Sequence, residues 1–164
     1  MKNIKKLLVF ILIAVSLFAL TACDNPPQIK QLTELTLPEL GNNQMAVIVK
    51  NGDSDYTSYT VTLTDGGINT NVCEDVLEYL RVKSGLTLIW QDSTYGKFIT
   101  AIGGITAEGN SYVEVFTSNV QYQGTWAGVD KYEVEGVSLV AASVGVTDLK
   151  VAAGDVVYFE LGSF

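Results

Sequence analysis

The sequence predicts an α+β domain in which one amphipathic helix packs on a curved, mainly antiparallel sheet. Three observations carry this expectation. Two β-type runs precede residue 65, a single run of helical periodicity occupies residues 73–80, and further β-type runs follow it to the end of the chain.

The amino terminus comes first. Lys2, Lys5 and Lys6 stand ahead of Leu7–Leu20, an apolar run of 14 residues broken only by Ser16. As a helix that run spans about 21 Å, short of the roughly 30 Å hydrocarbon core of a bilayer. A signal-peptide core therefore fits better than a membrane span, and residues 1–22 are expected to be a signal. The run ends in Leu20-Thr21-Ala22-Cys23, which resembles the lipobox of bacterial lipoproteins. That resemblance implies cleavage before Cys23 and lipidation of its thiol, against an ordinary secretory signal with a chance cysteine. Several acyl chains hold a protein on a membrane far better than one. Asp24 resembles the inner-membrane retention signal of Gram-negative lipoproteins and would carry no such meaning in a Gram-positive cell. In both settings the expected location is the outer face of the cytoplasmic membrane, anchored through Cys23.

Residues 23–44 read as a tether, with Pro26-Pro27 near its start and Pro38 and Gly41-Asn42-Asn43 near its end. Leu35 and Leu37 alternate with Thr36, a pattern that also suits an edge strand laid along the domain. The folded domain is expected over 45–164. Met45–Lys50 is an apolar strand followed by the turn dipeptide Asn51-Gly52, and Tyr59–Leu63 alternates as a half-buried strand, giving a hairpin with a loop of roughly eight residues. Cys73, Val76, Leu77 and Leu80 share one face of a helix. Asn71 is the expected cap with Glu74 as its capping-box partner, and Gly85 the stop. Later strands are expected at Leu86–Gln91, Lys97–Ile102, Ser111–Thr117, around Tyr132–Ala142, and at Val156–Leu161.

Composition narrows function. All 18 acidic residues follow residue 22, against 7 of the 10 basic ones, so the chain beyond the signal carries a net charge of −11. That balance opposes nucleic-acid binding, which needs cations against phosphate. The chain has no histidine, hence no Ser-His-Asp or Cys-His pair. Cys73 is the one cysteine beyond Cys23, too few for an intrachain disulfide or a zinc cluster in the domain, and its place on the apolar stripe reads as a buried structural thiol. Glu74 and Glu78 lie one helical turn apart and read as a solvated face. Asn51-Gly52-Asp53-Ser54-Asp55 opens like a calcium loop, but Tyr56 replaces the sixth-position glycine and Thr62 the terminal glutamate, so a hairpin loop is the first reading. No phosphate loop or dinucleotide fingerprint occurs. The expectation is therefore no enzyme, no metal and no cofactor.

The order of segments resembles a known family. The hairpin, then Val72–Leu80 in the pattern Val-x-x-x-Val-Leu-x-x-Leu, then Tyr95-Gly96-Lys97-Phe98-Ile99-Thr100-Ala101-Ile102-Gly103-Gly104-Ile105, is similar to the transcobalamin carboxy-terminal-like family of bacterial domains. Tyr112–Asn119 and Val151–Phe159 agree with it, so the resemblance covers about residues 45–162. It departs where the family often has a tryptophan, in the strand Tyr112–Phe116. The resemblance implies a β-grasp-like fold, related to the small domain that closes over vitamin B12 in animal carriers, and display by lipid anchors near vitamin transporters. No binding residue is carried over from it.

Aromatic residues supply the functional candidates. Trp90, Tyr95, Tyr122 and Trp126 fall at strand ends or in loops, and Ser118–Asp130 is rich in Gln, Gly, Asn and Tyr. Rigid aromatics among hydrogen-bonding residues suit a flat ligand or a protein partner. Trp90, closing an apolar run, reads as core; Tyr95, Tyr122 and Trp126 are the expected contact residues. Two roles follow: capture of a small molecule, cobalamin-like or another vitamin, for a membrane transporter, or binding of protein or cell-wall polymer with no small ligand.

Overall fold

The computed structural model describes residues 29–32, 34–94 and 96–164. The signal, Cys23 and Tyr95 lie outside the described residues. In chain order the elements are β1 (Ile29–Gln31), β2 (Gln44–Lys50), β3 (Tyr56–Thr62), α1 (Cys73–Lys83), β4 (Leu88–Ser93), β5 (Gly96–Ile102), β6 (Ile105–Thr106), β7 (Ser111–Thr117), β8 (Lys131–Val134), β9 (Val137–Ala141) and β10 (Val156–Ser163). The larger sheet has the order β1-β8-β9-β7-β10-β2-β3 and the smaller one β4-β5-β6. The fold is α+β, with parallel pairing at β1–β8 and β10–β2 and antiparallel pairing elsewhere.

The centre of the large sheet is buried on both faces, as parallel pairs usually are. Met45, Val47 and Val49 of β2, with Val157 and Phe159 of β10, enter one core together with Cys73, Val76, Leu77 and Leu80 of α1. Ala46 and Ile48, with Val156 and Tyr158, enter a second core on the opposite face. Period-two alternation therefore sorts one strand pair between two cores. The second core is closed by leucines from the stretch before β2: Leu32 and Leu35 are buried in it, and Leu37 and Leu40 pack against it. This stretch belongs to the expected tether, and it lies on the domain. The strand in the expected tether is β1, which precedes this stretch, and not Leu35–Leu37.

Several local expectations need correction. The β2–β3 loop is residues 51–55 rather than about eight residues, because β3 begins three residues earlier than its clearest alternation. The stretch 132–142 is a hairpin, β8–β9, turned at Glu135-Gly136, both with positive φ. Asn71 does not cap α1; the cap position is Val72, with no side-chain bond. The first-turn amides find distant acceptors instead, Cys73 donating to the Leu149 carbonyl (2.8 Å) and Glu74 to Val146 (3.1 Å). Asp75 accepts from the Thr70 amide and hydroxyl (2.9 and 2.8 Å). At the other end Gly85 adopts φ 69°, and Leu86 donates back to the Leu80 carbonyl, an arrangement that needs a residue without Cβ strain.

Candidate functional site

Beside the larger sheet, β7, β5 and the segment 141–147 enclose a cleft of about 380 Å³, within the size range of small-molecule sites. Its walls carry the aromatic side chains Phe98, Tyr112 and Trp126, the aliphatic Val113 and Val144, and Lys97.

Each wall has a local cause. Phe98 pairs in register with Gln91, on the face of β5 opposite to Ile99, which is buried in the main core, and it is 53% exposed. Trp126 is 51% exposed, yet its indole folds back over the chain. A Cβ at Gly124 would stand 2.2 Å from the Trp126 ring, so only glycine admits this position. Lys97 is aimed by α1: its ammonium pairs with Glu74 and stands 5.8 Å from the Trp90 ring centroid. Trp90 in turn donates from Nε1 to Glu78 (2.7 Å), which also accepts from Arg81 (2.7 Å). Burial raises the Glu78 pKa, but the bonds from Trp90 and Arg81 outweigh it and hold the carboxyl low. Glu74 and Glu78 are therefore fastenings between helix and small sheet, not a free solvated face. Trp90 is partly buried against the main core.

An acidic group of residues adjoins the cleft, which Glu114 also lines. Glu160 is buried and accepts from the hydroxyls of Tyr132 (2.5 Å) and Tyr158 (2.8 Å), with Lys50 at 3.8 Å. Glu114 stands across from Glu160 in register. Burial, then the charges of Asp130 and Glu160, push its carboxyl up to about 7, with Lys30 pulling the other way. Lys30 is itself bonded to Asp130 at 3.0 Å. Burial likewise pushes the Cys73 thiol up to about 12, the opposite of what a nucleophile needs. Among the described residues no group of three or more acidic, cysteine or histidine side chains could hold a metal. Asn51 of the calcium-like loop is engaged structurally, accepting from the Gly104 amide (2.8 Å) and donating to Thr57 (2.7 Å).

Of the three aromatic candidates, Trp126 lines the cleft. Tyr122 sits in a short 3-10 turn, packs against the main core and offers its carbonyl to the Ser143 amide and hydroxyl. Tyr95 is outside the described residues. Sequence reasoning missed Phe98, although an aromatic beside Lys97 at the exposed start of β5 was there to be read. Glu114 and Val113 carried no such signal, because their setting depends on where β9 leaves β7.

No protein-family model matches the chain, and no curated protein matches it. Among solved structures it is similar to a Ruminococcus gnavus protein provisionally described as metal binding, with TM-score 0.49 and 16% identity over 75% of this chain and 99% of that one. It is also similar to haptocorrin in complex with Cbi, with TM-score 0.48 and 16% identity over 79% of this chain. The chain spans 27% of the haptocorrin chain. Likenesses of this size assign no residue a role.

Proposed function

We propose that the chain is a lipid-anchored extracytoplasmic binding module that captures a small molecule in the Trp126–Phe98 cleft and hands it to a membrane transporter. The observation that carries this reading is the cleft itself, with an exposed indole held in place over Gly124. The anchor rests on the lipobox-like Leu20–Cys23 and the signal-like residues before it. A β-grasp-like domain is supported by the order hairpin, helix, then a last strand pairing parallel with the first strand of that hairpin. With the motif resemblance to the transcobalamin carboxy-terminal-like family, that order favours a vitamin-like ligand. The chemistry is binding without turnover: the chain has no histidine, and its domain cysteine is buried.

Thermal unfolding of the purified full chain against a panel of corrinoids and other vitamins tests the capture role. A compound at about 100 times its dissociation constant adds about 2.7 kcal/mol, a rise in Tm of several degrees for a domain of this size. Trp126→Ala should remove that rise. A flat panel would contradict small-molecule capture. The anchor has its own test: Cys23→Ala should abolish fatty-acid labelling and release the protein from membranes. A second reading, a surface domain that binds protein, is favoured by the first half of β7, which has no strand on its β9 side among the described residues.

A further inference from the structure

The cleft exists because two strands part. β9 pairs with β7 only through Phe116↔Ala141 and Thr117↔Val140. One more bond runs from the Ala142 amide to the Val115 carbonyl (2.8 Å), after which Ser143 donates to Tyr122 instead. The first half of β7 is left without a strand on that side among the described residues, while its other side stays paired with β10 as far as Ser111↔Ser163.

Strand alternation decides which groups face the gap. The Val115 carbonyl faces β9, and the Ser118 amide donates to Val156 on the β10 side. Two residues before Val115, Val113 therefore turns its N–H and C=O away from β10 and into the cleft, where neither meets a backbone partner among the described residues. A polar backbone pair in a partly apolar cleft favours any occupant that bonds it. No proline or lysine blunts this edge, the usual protection of an open strand; Ser111–Val115 reads Ser-Tyr-Val-Glu-Val.

Charge narrows the occupant further. Glu114 sits on the opposite face of β7 from Val113, beside Glu160 and Asp130 and with Lys30 as its countercharge. The position directly across from it, where β9 would have continued, has no strand among the described residues. A cation placed there would make a favourable cross-strand pair, and the chain's net charge of −8 steers basic segments toward it.

We propose that the open edge of β7 takes an extended segment of a partner protein as an added strand, with a lysine or arginine across from Glu114 and apolar neighbours on the Val113 side. Main-chain bonds to Val113 supply affinity, and alternate side chains supply selectivity. This rests on the cleft being the binding site, and it requires neither the lipid anchor nor a small cargo.

The test uses the full chain and a blocked peptide, Thr-Val-Lys-Val-Thr, with two controls: the same peptide N-methylated at alternate amides, and one with glutamate for lysine. Calorimetric titration should give saturable binding that either control weakens by about tenfold or more. Exchange of the Val113 amide should slow as the peptide saturates. Val113→Pro removes an N–H that β10 does not use and should weaken binding to a similar degree. If that variant misfolds, Glu114→Gln should still erase the preference for lysine over glutamate. Equal binding of all three peptides, no binding at millimolar peptide, or protection away from Val113 would overturn the proposal. Failure of the peptides alongside a small-molecule shift that depends on Trp126 sinks strand addition alone. Failure of both sinks the cleft as a binding site.

Discussion

Gly124 and Trp126 form a pair in which one residue makes the other possible. Gly124 has no positive φ to explain it; its role is the close approach of the indole, which a Cβ would meet at 2.2 Å. Gly124→Ala should therefore displace the ring, lowering ligand affinity nearly as far as Trp126→Ala while leaving the urea midpoint close to wild type. An unchanged affinity would show that the indole does not set the site. Glu114 gives a second residue-scale expectation. Its folded pKa of about 7 lies above the ordinary 4.5, so between those values the folded chain binds more protons than the unfolded one. Stability from this group is full below about pH 4.5 and is lost as pH rises through 7. The loss should be about 1–2 kcal/mol, reduced from the full linkage value because the group is partly exposed. Urea midpoints at pH 5 and pH 8 measure it, and Glu114→Gln should flatten the difference. A wild-type midpoint that does not fall would contradict the placement of Glu114.

At the scale of elements, whatever depends on local periodicity was legible. The stripe Cys73, Val76, Leu77 and Leu80 is the buried face of α1, β7 has the bounds its alternation predicts, and β10 alternates as read, with both faces buried. What depends on distant chain was not. The amides of the first turn of α1 are met by carbonyls of Val146 and Leu149, which no cap motif near Asn71 announces. The splaying of β9 from β7, which makes the cleft, follows from Ser143 bonding Tyr122 across 21 residues of sequence. The closure of the second core by Leu32, Leu35, Leu37 and Leu40 is of the same kind: the leucines were visible, but the core they enter was not. Leu35→Ala measures that docking. With Leu35 at 5% exposure, the substitution should cost about 2–3 kcal/mol in chemical unfolding, whereas a free tether would make it silent.

At the scale of the whole molecule, two cores share one sheet, and the cleft opens at the seam where the sheet parts from its own hairpin. Fastenings such as Trp90–Glu78 and Lys97–Glu74 hold the small sheet, one wall of the cleft, against α1, while Trp126 supplies an exposed surface on another. That division suits a preformed binding site. The central claim is that this cleft is where the protein meets its ligand. Backbone amide shifts of the full chain, followed by NMR during titration with each compound or peptide that raises its Tm, test it most directly. Perturbations should concentrate at Phe98, Val113, Trp126 and Val144–Thr147. Perturbations centred instead on the 51–55 loop, or spread evenly over the surface, would contradict it.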